Sequence, residues 1–181
     1  MSRMRNFRGF TMLEVLIALL IFSLGLLGVA ALLTVSVRTN HSAYLRTQAT
    51  FLAQGMAERM RANPLGLWNS SYQLNASGAT ITPAAAVTTG TIQDCSSASC
   101  TYAQVATRDL QFWQNQLNIF LPSPQVGVAC VAGANVPTTA QLLYWPPFSG
   151  TCEIQIVWNE LNLPQQTGNA TAERLDWVFQ P

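Results

Sequence analysis

Between Val15 and Leu33 no position carries a charge, and the only hydroxyl is Ser23. As a helix these residues reach roughly 28 Å, at about 1.5 Å each, which matches the hydrocarbon core of a bilayer. Past Arg38 the polarity pattern changes, yet the residues stay helix-friendly through Ala62, with no proline and a single glycine, Gly55. Leu45, Ala49, Leu52, Met56 and Met60 recur at helical spacing and share one face, with Arg46, Gln54, Glu58 and Arg61 largely off it. Asn63-Pro64 then supplies a stop, because proline pushes the preceding residue out of the helical region. The pattern predicts one helix from Phe10 to about Ala62, apolar all round over residues 10–37 and amphipathic over residues 38–63. A membrane anchor followed by a separate stalk helix is the alternative, with its break near Gly25 and Gly28, both of which weaken helix.

Beyond Pro64 the texture changes. Residues 75–99 are small and polar, which predicts an exposed excursion. A second helix is expected over "TRDLQFWQNQLNIFLP", with Thr107 as N-cap and Leu110, Trp113, Leu117 and Phe120 on one face before Pro122. Strands are expected at "VGVACV" (126–131) and "LLYW" (142–145). Two more follow, at "CEIQIVW", with Cys152, Ile154, Ile156 and Trp158 on one face, and at "RLDWVF", with Leu175, Trp177 and Phe179 on one face. Short connections between these runs make the sheet antiparallel. The fold class is therefore α+β: a long N-terminal helix packed on a C-terminal antiparallel sheet, with one further helix. Residues 64–181 form one globular domain, large enough for its own core.

Charge sets an orientation. Arg3, Arg5 and Arg8 crowd the first nine positions, and basic residues on that side keep it in the cytoplasm and place the rest outside. Without residues 1–9, six arginines face eight acids, a net charge of −2, and the chain has no lysine. Direct binding to nucleic acid is disfavoured, since phosphate recognition needs a clustered cationic stripe. The four cysteines, Cys95, Cys100, Cys130 and Cys152, all lie beyond the apolar run, which suits disulfides in an oxidising compartment. Of the three possible pairings, Cys95–Cys100 with Cys130–Cys152 is the expected one, worth about 2 and about 3.5 kcal/mol respectively on a chain-entropy model. No histidine lies near them, so neither a metal nor a cofactor is expected.

One residue resists this account. Glu14 lies in the apolar helix, and a carboxylate near the middle of a spanning helix costs on the order of 2.5–3.5 kcal/mol, so its presence points to function. The run is also too long for the core of a cleaved secretory signal. A cut within "RGF", between Gly9 and Phe10, would instead leave the helix attached and a new amino terminus four residues before Glu14.

The stretch "GFTMLEVLIALLIFSLGLLG" resembles the N-terminal signature of type IV pilins and of the pseudopilins of type II secretion. Further along, "QATFLAQGMAERMRANP", "DLQFWQNQLNIFLP" and "VWNE" are similar to the PilV group of minor pilins. The resemblance implies a pilin-like fold and a leader at residues 1–9. It also implies processing at Gly9 and Phe10 by a prepilin peptidase that methylates the new amine from S-adenosylmethionine, and assembly through Phe10 and Glu14. The implied molecule is a single-pass inner-membrane protein with a periplasmic domain, entering the pilus at the cell surface. It assembles with other minor pilins and major pilin subunits on the pilus assembly platform, promoting pilus biogenesis, twitching motility and adhesion. A type II secretion pseudopilin is the alternative.

A membrane-anchored enzyme is the rival from another class. The lone histidine, His41, lies just past the apolar run. Asp109, Glu153, Glu160, Glu173 and Asp176 could supply a carboxylate pair, but no spacing brings two together. No catalytic residue is assigned. Residues 75–99, and Tyr144, Trp145 and Phe148 in "LLYWPPF", are candidate partner surfaces.

Overall fold

The computed structural model describes residues 9–86, 92–96, 98–160 and 171–181. Residues 1–8 of the basic leader and part of the 75–99 segment thus lie outside the described residues. The chain divides into two compact units, Met1–Ala43 and Tyr44–Pro181, and α1 (Met12–Ala62) contributes to both. No break falls at Gly25 or Gly28, so the separate-stalk alternative is not what the chain adopts.

In the second unit, α1 buries Leu45, Ala49, Leu52, Ala53, Met56, Ala57 and Met60. Three- and four-residue spacing brings these onto one stripe, widened by the two alanines. Pro64 ends α1 and also begins α2 (Pro64–Trp68). Asn63 caps α2 by accepting from the Gly66 N–H, and proline fits the first helical position because no N–H is needed there.

The small-residue stretch holds three two-residue strands, β1 (Ala76–Ser77), β2 (Thr80–Ile81) and β3 (Ala84–Ala85). Next comes α3 (Tyr102–Phe120), and its N-cap is Thr101, not Thr107. Thr101 accepts from the Gln104 N–H while Gln104 reaches back to the Thr101 N–H. Thr107 lies inside the helix and donates to the Ala103 carbonyl. On the expected face Trp113 and Leu117 are buried and Leu110 is half-buried, whereas Phe120 is exposed. The Trp113 Nε1–H donates to the Leu52 carbonyl at 3.0 Å, joining α3 to α1.

β4 (Gln125–Ala132), β5 (Gly150–Glu160) and β6 (Thr171–Phe179) complete an antiparallel sheet in the order β3-β4-β5-β6. The expected strand at 142–145 is absent. In its place α4 (Thr139–Leu142) is followed by a turn in which Trp145 adopts φ 53°. Register aligns the apolar face: Ile154 opposes Val128 and Trp177, and Ile156 opposes Val126 and Leu175. These residues and the α1 stripe, with Trp113, Leu117, Trp158 and Phe179, form one core. On the other face β2 approaches so closely that a side chain at Gly127 would collide with Ile81, which explains a glycine in mid-strand.

Candidate functional site

α1 begins where the chain leaves Gly9 and Phe10, both outside any helix or strand and both exposed. Thr11 organises the first turn. Its hydroxyl and its carbonyl both accept from the Glu14 N–H, at 3.3 and 3.1 Å, and its carbonyl also accepts from Val15. Thr11-x-x-Glu14 has the spacing of a capping box, so Glu14 is the third helical residue. A carboxylate there faces the positive end of the helix dipole, a stabilisation of about 0.3–1 kcal/mol at an exposed site. The acid is thus in the one stretch of an apolar helix where the backbone itself favours negative charge. Among the described residues, a side chain at Gly9 would meet nothing within 4 Å.

The helix that follows has no cover within its own unit. Every residue from Met12 to His41 is exposed, Phe22, Leu27 and Leu32 among the large ones. By length and composition it can cross a membrane. Two of its hydroxyls are satisfied within the helix: Ser23 donates to the Leu20 carbonyl at 2.8 Å and Thr34 to the Ala31 carbonyl at 2.7 Å. In a medium without water this removes donors that would otherwise go unpaired. Glu14 is the one carboxylate in this stretch, and an acid in such a medium calls for a partner.

The other carboxylates are engaged with cations and amides. Glu173 pairs with Arg46 across α1 and β6, and Asp176 pairs with Arg174 on the exposed face of β6 at 2.6 Å. Glu153 accepts from Gln155 at 2.7 Å. Asp109 instead belongs to a buried knot that sequence reading passed over. The Tyr72 hydroxyl donates to Asp109 Oδ2 at 2.8 Å, and Asn63 Nδ2 donates to the Tyr72 hydroxyl at 3.2 Å and to the Tyr102 carbonyl at 2.8 Å. Arg59 lies 3.4 Å from Asp109 Oδ1 and over the Phe112 ring. Burial pushes the Tyr72 phenol well above its ordinary value; the Asn63 bond opposes the shift and the Asp109 carboxylate reinforces it. The knot ties α1, α2 and α3 together. The signals for it were Asn63 before Pro64, a cap pattern, and a tyrosine between polar neighbours, which carries no periodic cue.

Among the described residues no group of three or more His, Cys, Asp or Glu could hold a metal ion, and His41 is exposed. The disulfides join Cys95 to Cys100 and Cys130 to Cys152, the second between directly opposed residues of β4 and β5. Of the aromatic trio, Phe148 is core and packs against Trp68 with ring centroids 4.8 Å apart. Tyr144 and Trp145 are exposed, while Trp68 Nε1–H donates to the Pro146 carbonyl at 3.1 Å and pins their loop.

Two family models match. Residues 4–30 match the prokaryotic N-terminal methylation motif, a span that includes Gly9, Phe10 and Glu14. Residues 31–111 match the family described as Type IV pilin Tt1218, a span that includes the α1 stripe and the Asn63–Tyr72–Asp109 knot. No curated protein and no solved structure matches the chain.

Proposed function

We propose, for a chain similar to a type IV pilin family over residues 31–111 and carrying the N-terminal methylation motif over residues 4–30, a minor pilin of the PilV group that joins other minor pilins to promote pilus assembly. The observation that supports the assembly role is Glu14: a single acid in the first turn of an uncovered apolar helix, four residues past Phe10 of the Gly-Phe junction.

Hydrolysis after Gly9 removes the leader and its three arginines and leaves a free amine on Phe10, which the same peptidase methylates. The ammonium of one subunit then meets the Glu14 carboxylate of the next. At about 4 Å and an effective dielectric near 20 the attraction is about 4 kcal/mol. Desolvation of both charges offsets much of it. The pair therefore fixes register between neighbours more than it adds net stability. Before the cut, the amine is locked in a peptide bond and the pair cannot form, so processing licenses assembly.

Residues 10–37 then span the inner membrane, residues 38–63 continue the helix into the periplasm, and residues 64–181 form the periplasmic domain. The partners are other minor pilins, major pilin, the prepilin peptidase and the assembly platform. Glu14→Val should leave membrane insertion intact and reduce incorporation into filaments at least tenfold. Incorporation at the wild-type level refutes the role. Loss of secreted enzymes with intact pili on deletion would assign the chain to type II secretion instead.

A further inference from the structure

The turn after α4 displays its side chains against the preference of its own backbone. Leu143, Tyr144 and Trp145 are exposed, and Trp145 holds φ 53° although a proline follows it. A bulky residue at positive φ is rare, and a residue before proline favours extended backbone. Such a conformation persists where surrounding bonds hold it, and it concentrates at functional sites. Here the Trp145 N–H donates to the Leu142 carbonyl at 3.2 Å, and the Trp68 indole N–H holds the Pro146 carbonyl just beyond. Beside the turn opens a cleft of about 680 Å³, walled by Trp68, Tyr144 and Pro146 and carrying polar groups of Asn135, Gln141 and Ser149. A second hollow of about 320 Å³ continues it, sharing Asn135 and Ser149. None of the described residues lining either hollow is charged.

The geometry points to a binding site for a neutral saccharide chain, with sugar rings stacked on Trp68 and Tyr144 and hydroxyls bonded to Gln141, Asn135 and Ser149. The C–H face of a sugar ring suits the negative face of an aromatic ring, and its rim of hydroxyls both donates and accepts. The polar groups are ready for such a rim. Gln141 Oε1 accepts from the N–H and the hydroxyl of Thr138, at 2.8 and 3.1 Å, which orients the amide; among the described residues nothing accepts from its Nε2. The Asn135 amide and the Tyr144 hydroxyl likewise have no partner among the described residues. Ser149 Oγ donates to the Asn135 carbonyl at 2.9 Å and keeps its lone pairs for a donor. An apolar occupant would cover the rings but leave these amides dry and unbonded, and an ion would find no counter-charge. The walls are set in advance, because Trp68 is fixed by Pro146 and by Phe148, so little ordering is left for binding to impose. The second hollow gives room beyond the first ring, hence a chain and not a single sugar. This site does not depend on Glu14 or on the assembly reading.

The test is calorimetric titration of the full chain in dodecyldimethylamine oxide, a detergent without a sugar headgroup. The probes are maltohexaose, cellohexaose and chitohexaose, with an oligogalacturonate as the anionic comparison and decaproline as the peptide comparison. At least one neutral hexasaccharide should bind with millimolar or tighter affinity, and added salt should leave that affinity unchanged. Tyr144→Ala, at a side chain 86% exposed, should weaken binding at least tenfold with Tm unchanged. Tyr144→Phe keeps the ring and should lose only a few-fold. Asn135→Ala should lose several-fold, and Leu143→Ala, exposed but outside the cleft, should bind as wild type. Failure of all three neutral probes would overturn the proposal, as would wild-type affinity in Tyr144→Ala. Tighter binding of the oligogalacturonate would overturn the neutral assignment. Binding of decaproline alone, lost in Tyr144→Ala, would make the cleft a peptide site and overturn the saccharide.

Discussion

Asp109→Ala should destabilise the globular unit by about 3 kcal/mol, and most of that cost comes from a neighbour. Tyr72 is 1% exposed, and its hydroxyl donates to Asp109 Oδ2 at 2.8 Å. Asn63 cannot take over as acceptor, because its amide nitrogen is the donor to Tyr72 and its oxygen already accepts from Gly66. The orphaned phenol costs about 1–3 kcal/mol. Loss of the Arg59 contact adds at most about 1 kcal/mol, since that side chain is 38% exposed and well screened. Tyr72→Phe removes the same bond but leaves Asp109 with Arg59 and some solvent, so about 1–2 kcal/mol is expected. In the double variant no buried hydroxyl remains to be orphaned. Its cost should therefore fall short of the sum of the singles by about 1.5 kcal/mol. The assay is urea unfolding of the full chain in detergent, followed by tryptophan fluorescence from buried Trp113 and Trp158. Strictly additive costs would refute the knot as a coupled unit.

Two further predictions concern the same unit. The Tyr72 phenol binds its proton more tightly when folded, so its stabilisation is complete below the unfolded value near 10 and is lost as pH rises above it. Stability should fall by up to about 1.4 kcal/mol per pH unit above pH 10, and Tyr72→Phe should flatten that slope. Removing the Cys130–Cys152 bridge by Cys130→Ala/Cys152→Ser should cost about 3.5 kcal/mol against about 2 kcal/mol for the corresponding change at Cys95–Cys100, read from urea midpoints; equal costs would contradict the loop-length argument.

Periodic burial was what the sequence made readable. All five residues of the α1 stripe are buried, as are Cys152, Ile154, Ile156 and Trp158, because each run has one face on the core and so repeats at the period of its own backbone. Elements held by backbone and caps escaped. The strands β1 to β3 are two residues long, and the segment is tied in by bonds such as Asn75 Nδ2 to the Val126 carbonyl, which leave no apolar trace. The start of α3 was placed too late because its first turn is solvent-facing; Thr101-x-x-Gln104 was the available cue. "LLYW" misled for the opposite reason: its apolar residues are displayed, with Leu143, Tyr144 and Trp145 exposed, and burial does not shape the run. At the candidate site, Glu14 stands out as a charge in an apolar run, whereas the role of the Gly9–Phe10 bond comes from the resemblance to the pilin signature. The buried knot did not, since its members, Arg59 with Asn63, Tyr72 and Asp109, come from three separate stretches.

The most direct test of the account is the amino-terminal residue of the chain recovered from sheared filaments, read by mass spectrometry of the N-terminal peptide. A peptide beginning at methylated Phe10 is the predicted result. Filament-borne chains that still begin at Met1 would leave Glu14 without the liberated amine and would contradict the central claim.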